Sequence, residues 1–496
     1  MTDLIQKYSE AFTRFSDRHA FSSGEENYTY REFQSLIDGS RQLLRENGFE
    51  PQKPIGVLYN SRVETFAAIF AIWFSGGIYV PVNPSSPLSV NEQIIKKYQI
   101  DVLFFAGDDP ERYPFSQVKI LHNRNISAAE STPIYNWDEK EVMYVLNTSG
   151  STGTPKHVAI SIKNLTTFIE GYLEKYPELD ESDNFLQTYE LTADASFTGF
   201  VIPFLLGATV YSVPGNAFKP FAVAKILAEK PITWVKSTPS LLACLRPFFS
   251  SFHLPGLKHY HFGGEALPAD MVDAWRHHIP NAEVSNGYGP TETTVTATIY
   301  KCLPGENLRS KNNIVCIGLP FKNVEIWIQK TDPYKETGEL FLTGDQVMEK
   351  YWFSEKQPFK RLHLENRIVR FYPTGDQVWQ DPDGYLHFSG RLDDQVKISG
   401  YRIDLVEIEN AVRSMVPHIG NVAAVAVESS TGMKQLVVFI ENYSDNSHDL
   451  IESMALHFPR YQIPEKIISV KQFPLNNSGK IDKKMLMAQF YPPPVS

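Results

Sequence analysis

"LNTSGSTGTPKHV", residues 146–158, is the stretch on which the reading of this chain turns. The apolar lead-in "EVMYVLN" (141–147) stops at Asn147, and a run of Thr, Ser, Gly and Pro follows up to Lys156. Glycines let backbone N–H groups approach an anion, hydroxyls add neutral donors and a lysine adds a point charge, so the composition suits phosphates. It is not a Walker loop, because Thr-Pro separates the second glycine from the lysine. Taken alone, the same composition also fits a linker.

The surroundings favour the first reading. Strand-like runs alternate with amphipathic stretches: "PIGVLY" (54–59), "SRVETFAAIFAIWF" (61–74), "GIYVPV" (77–82), "SVNEQIIKKYQ" (89–99) and "DVLFFAG" (101–107). The rhythm returns with "ATVYSVP" (208–214), "PFAVAKILAEK" (220–230), "ITWVKSTP" (232–239) and "HYHFGGE" (259–265). Strands alternating with helices predict parallel sheets covered on both faces, with ligands at the carboxyl ends of the strands. The loop after Asn147 follows a strand, as that rule requires.

From about residue 315 the texture changes to short alternating strands, such as "NVEIWIQ" (323–329) and "RIVRFYPTGDQVW" (367–379). A compact α+β module then runs from the charged stretch "GRLDDQVKISGYRID" (390–404) to the end. The expected fold class is therefore α/β: a large N-terminal domain, 1–390, with parallel α/β sheets and a β-rich subdomain at about 315–390. A small α+β C-terminal domain, 391–496, follows it.

At 496 residues, with 42% hydrophobic and 21% charged residues, the chain is globular and too long for one ordinary core. Its formal charge of -10 and lack of basic blocks exclude a nucleic-acid partner. Cys244, Cys302 and Cys316 form no CxxC pair, which excludes a disulfide framework or cysteine zinc site and suits a reducing cytosol. The run "FAAIFAIWFSGGIYVPV" (66–82) approaches membrane-span length but is broken by Ser75, Gly76, Gly77 and Pro81, so it predicts a buried helix, a turn and a strand rather than membrane insertion. The N-terminus lacks a secretory layout, and a cytoplasmic location is expected.

Four further stretches carry chemistry. "NGYGPTETT" (286–294) offers the aromatic face of Tyr288 between glycines and a hard oxygen ligand in Glu292. "YPTGDQV" (372–378) places Asp376 after a tight turn, where a carboxylate can accept both hydroxyls of a ribose. "GRLDDQVKISGYRID" sits at the domain boundary, and "NNSGKID" (476–482) sets Lys480 in a glycine turn. Each alone also fits a plain turn, a salt-bridged strand or a solvated lysine.

In order and spacing they resemble the adenylate-forming superfamily, and within it the amino-acid adenylation domains of nonribosomal peptide synthesis. "FSGGIYVPVNPSSP", "TSGSTGTPK", "GYGPTETT", "GELFLTGDQVMEKYW", "YPTGDQV", "GRLDDQVKISGYRID" and "PLNNSGKIDKK" match its core motifs across essentially the whole chain. "WVKSTPS…YHFGGEALP…NGYGPTETTV" looks closest to the stand-alone D-alanine–carrier protein ligases.

The resemblance implies ATP and Mg²⁺. Thr148, Ser149, Gly150, Ser151, Thr152 and Gly153, with Lys156, would hold the β- and γ-phosphates. Asn286, Gly287, Tyr288, Gly289 and Pro290 would flank adenine, with Tyr288 stacking on it, and Thr291 would contact the α-phosphate. Asp376 and Arg391 would fix the ribose, with Phe388 beside them. Glu292 would carry Mg²⁺, and Lys480 would bridge the carboxylate and the α-phosphate. Asp194 would pair with a substrate α-ammonium, and Ala195, Thr198, His261, Gly263, Gly287, Val295 and Thr296 would wall the pocket.

D-alanine ligases carry bulkier groups at the positions of Ala195 and Gly263, so a larger or more polar amino acid near His261 is expected. His157, Ala193 and Asp404 depart from the family pattern without removing a charge that the chemistry needs. Asp393 would be the hinge about which the small domain swings. No carrier-like serine occurs, so a phosphopantetheinylated carrier protein acting in trans is the expected acceptor. The alternatives are a D-alanine ligase proper, an acyl-CoA ligase, and an inactive nucleotide-binding module.

Overall fold

The computed structural model describes residues 4–491 apart from 108–112, 116–117, 125, 127–131, 149–155, 216, 331, 333, 365–366, 417–418, 420, 430–432, 445 and 475–480. Two mixed sheets form the bulk of the chain. In the nine-stranded sheet, six strands run parallel: Glu283–Tyr288, His259–Gly263, Trp234–Ser237, Asn184–Gln187, Thr209–Ser212 and His19–Ser23, in that spatial order. Antiparallel strands close both edges. The seven-stranded sheet has a parallel core of Val142–Thr148, Ile78–Val82, Pro54–Leu58, Val102–Phe105 and Lys119–His122.

Helix Val63–Phe74 is buried at every position and touches strands of both sheets. A helix apolar on all faces belongs between layers rather than at a surface. It ends at Ser75, Gly76 turns the chain at φ +79°, and strand Ile78–Val82 follows, so the long apolar run is core. Among the described residues no helix is long and apolar enough to cross a membrane.

Residues 324–391 form an antiparallel five-stranded sheet. Beyond it, strands Val422–Glu428, Lys434–Glu441 and Lys466–Val470 pack with helices Leu405–Met415, Ser447–Ala455 and Lys483–Phe490 around cores of their own. A hairpin, Gln395–Ile398 with Tyr401–Asp404, links the two regions. Its two-residue turn, Ser399 and Gly400, has positive φ at both positions, the geometry whose twist matches a tight hairpin.

Candidate functional site

The carboxyl ends of both sheets supply the site, as expected for parallel sheets. Thr148 ends one strand of a hairpin and Lys156 begins the next, directly opposite in register. The intervening Ser149, Gly150, Ser151, Thr152 and Gly153 lie outside the described residues, as does Lys480. The Thr148 hydroxyl is buried with no hydrogen bond among the described residues, and Lys156 lies over the Tyr351 ring. Burial and neighbouring Arg402 pull the Lys156 pKa down, against Glu292. His157 packs against Tyr98: its Nδ1 lies 2.7 Å from both Asn147 Oδ1 and Tyr98 OH, and burial lowers its pKa to about 4.

The nucleotide-side residues converge on a cavity of about 300 Å³. Tyr288, Asp376, Phe388 and Arg391 line it, together with Asn286 and Gly287. Tyr288 OH donates to Asp376 Oδ2 at 2.6 Å, and Arg391 Nη1 pairs with Asp376 Oδ1 at 2.5 Å. The other edge of the Arg391 guanidinium forms a two-point pair with Asp393, at 2.7 and 2.8 Å. The carboxylate expected at the ribose is thus positioned in advance by a phenol and a guanidinium. Asn286 is structural as well: its amide donates to the Cys316 carbonyl at 3.0 Å.

Glu292 is fully buried in the short helix Thr291–Thr293. Burial alone would raise its pKa, yet Arg402, the Tyr351 hydroxyl and Lys156 hold it below the ordinary carboxylate value. Tyr351 OH donates to it at 2.6 Å and Arg402 Nη1 sits 3.5 Å from both oxygens. The expected metal ligand is therefore ionised and correctly hard, but in this arrangement it is engaged by an arginine of the hairpin. A Mg²⁺ ion, which takes one or two carboxylates plus phosphate oxygens, fits here once Arg402 withdraws. Among the described residues, the grouping of Glu178, His259 and Glu283 could also suit a metal. It lies at the amino ends of the strands, and Lys301, 3.0 Å from Glu283 and 3.7 Å from Glu178, already supplies a counter-charge.

A cleft of about 100 Å³ adjoins the nucleotide side. Asp194, Ala195, Gly263, Gly287, Val295 and Thr296 line it, and so do Gly289, Pro290 and Thr291, which the resemblance assigned to the nucleotide. Asp194 opens the 3-10 helix Asp194–Gly199, and its Oδ2 is buried with no hydrogen bond among the described residues. Two pocket expectations need correction. Thr198 and His261 do not line the open cleft but stand behind it: His261 packs on Tyr172 and Trp234, at the back of Gly287. The polar side chain at that wall is instead Lys236, which the motifs do not single out. It sits inside the strand "WVKS", where lysine looks like an edge residue; the only signal was a charge in an otherwise apolar run.

The hairpin roofs the cleft. Lys397, Gly400, Tyr401 and Arg402 line it, and Lys397 also lines the nucleotide cavity. Gly400 N donates to Glu265 Oε1 at 3.0 Å, while Glu265 Oε2 accepts from Ser240 N and Oγ, so the turn docks on the loop after strand His259–Gly263. Lys397 and Arg391 both line the two spaces, and the Lys397 pKa is lowered by burial against the pull of Asp376 and Asp194.

Residues 8–352 match the model of the AMP-binding enzymes. The chain belongs to this family. It is 30% identical over 491 residues to a plipastatin synthase subunit of Bacillus subtilis, covering 97% of this chain and 19% of that protein. It is 29% identical to gramicidin S synthase 2 of Brevibacillus brevis over 92% of this chain and 10% of that protein. The chain thus spans a fifth or less of the length of these relatives. Its fold is that of the Vibrio cholerae adenylation domain AlmE, solved with glycyl-adenosine-5'-phosphate: TM-score 0.84 at 24% identity, covering 99% and 98% of the two chains. PA1221, an NRPS protein containing adenylation and PCP domains, gives 0.86 at 23% identity, over 98% of this chain and 84% of that one. The family's AMP-forming ligase chemistry uses ATP, in keeping with the paired Asp376–Arg391 site.

Proposed function

We propose that this AMP-binding enzyme activates the carboxylate of an amino acid with ATP and transfers the acyl group to the phosphopantetheine thiol of a carrier protein. A carboxylate oxygen attacks the α-phosphorus, the bond to the bridging oxygen breaks, and pyrophosphate leaves. The thiol sulfur then attacks the acyl carbon and AMP departs with the electron pair, the thiol proton going to solvent. Mg²⁺, held by Glu292, would neutralise phosphate charge in the first step.

The observation that carries the reading is Asp194. Its Oδ2 is buried with no hydrogen bond among the described residues, and the residue lines a cleft that adjoins the Asp376–Arg391 cavity and shares residues with it. Burial raises the Asp194 pKa against the pull of Lys236, Lys397 and a hydrogen bond from Thr291, and a substrate ammonium beside Oδ2 would offset that cost. For the transfer step, a channel of about 180 Å³ shares Tyr189, Ala193, Gly400 and Tyr401 with the cleft and runs out past Thr238, Leu241 and Met433, offering a thiol arm a way in.

The small module would carry Lys480 to the carboxylate–phosphate junction for the first step and the 395–404 hairpin to it for the second, turning near Asp393. Domain boundaries at 390/391 follow from this reading. Amino-acid-dependent exchange of radiolabelled pyrophosphate into ATP tests the first step. Dependence on an amino acid is expected; exchange driven by aryl or fatty acids alone would refute the proposal.

A further inference from the structure

One charge in the cleft has no role in amino-acid activation as proposed. Lys236 is 3% exposed, and its Nζ makes one hydrogen bond among the described residues, to Thr198 Oγ1 at 2.9 Å. The Tyr189 ring lies 5.9 Å from Nζ, and burying an ammonium on one neutral acceptor and a distant ring is expensive. Asp194 is near enough to favour its charged form, but burial outweighs this and the Lys236 pKa falls to about 7.

The conflict sharpens when substrate binds. If the α-ammonium takes Asp194, Lys236 loses its nearest counter-charge. A neutral side chain would then leave the lysine to shed its proton or stay buried and unpaired. A side-chain carboxylate resolves both: one buried anion meets the substrate's cation, and one buried cation meets its anion.

The wall is shaped to permit that contact. A methyl added at Gly263 would stand 3.6 Å from Lys236 Cε and 3.2 Å from the Gly287 carbonyl; one added at Gly287 would strike His261 Nε2 at 2.6 Å. Gly263 therefore keeps the space before Lys236 open, and Gly287 leaves room for the His261 ring. His261 behind them has neither ring nitrogen hydrogen-bonded and is held neutral by burial and by Lys236, so it adds no competing charge. The cleft's volume of about 100 Å³ limits the side chain to a short one.

We propose that the substrate is a short acidic α-amino acid and that Lys236 is the residue that binds its side-chain carboxylate. This rests on the amino-acid activation proposed above. The test is pyrophosphate exchange by the full chain with both enantiomers of aspartate, glutamate, asparagine, glutamine and alanine, and with glycine. Aspartate or glutamate should exceed its own amide by at least about tenfold in kcat/KM.

Exchange led by an amide, by alanine or by glycine overturns the assignment while leaving amino-acid activation standing. Silence across the panel from a chain that still binds ATP sinks both. Lys236→Met should cost about 100-fold in kcat/KM for the acidic substrate, mostly through KM, with the KM for ATP unchanged. Lys236→Arg should retain the acidic preference. An acidic preference that survives in Lys236→Met overturns the proposal.

Discussion

The two halves of the site satisfy their charges in opposite ways. On the nucleotide side Asp376 and Asp393 share Arg391 as a cation within the protein, and Glu292 has Arg402. On the amino-acid side, among the described residues, Asp194 Oδ2 has no hydrogen bond and Lys236 makes one, to a threonine hydroxyl, with Asp194 and the Tyr189 ring as its more distant neighbours. A preformed, self-paired cluster can hold one invariant ligand in register. A cleft whose charges lack partners is completed by its substrate, and so discriminates among substrates.

The largest expected effect lies in the shared half. Lys480→Ala should lower exchange roughly 100- to 1,000-fold with every amino acid alike, because it removes a cation from where charge builds in the transition state. An effect that varied with the amino acid would blur the division between the halves. Asp194→Ala should cost nearly as much, but through the amino acid's KM, with ATP binding unchanged. A matching rise in the KM for ATP would break the division outright.

Arg402→Ala should act more gently and on one step only. It frees Glu292 and removes part of the cleft's roof, so thiol loading should slow several-fold while exchange stays within about threefold. Quenched-flow measurement of the two steps separates them. The smallest effect is on stability. Lys236 titrates at about 7 when folded and at an ordinary 10.5 when unfolded. Between those values the unfolded chain binds the extra proton, so stability rises with pH across that window. Lys236→Met should therefore be more stable than the parent at pH 7 and lose that advantage as pH approaches 10.5, as chemical denaturation can follow.

Legibility in the sequence divides along the same line. Tyr288, Asp376 and Arg391 stand in fixed motifs and meet in the structure at hydrogen-bond distance, because the chemistry they serve does not vary. The alternation of strands and helices likewise predicted parallel sheets, and the breakers Ser75 and Gly76 marked the end of the buried helix. Lys236 was not legible, since its role depends on which strand it joins and what lies across from it: strand Trp234–Ser237 pairs between Asn184–Gln187 and His259–Gly263, pairings far apart in the chain. His261 was misjudged for the same reason. The resemblance put it in the pocket wall, but Gly287 stands between it and the cleft. The hold of Arg402 on Glu292 depends on how the hairpin seats, which no local pattern encodes.

The Ser399–Gly400 turn is anchored on Glu265, and its hairpin supplies at once the clamp on Glu292 and one wall of the outward channel. Lifting that hairpin would unlock the acidic side chain and dismantle the passage in a single movement. On the two-step reaction proposed above, readiness for the phosphate and readiness for the thiol would thereby exclude each other: one latch would serve two doors, and an intermediate made behind the first would meet water only as briefly as the latch takes to fall.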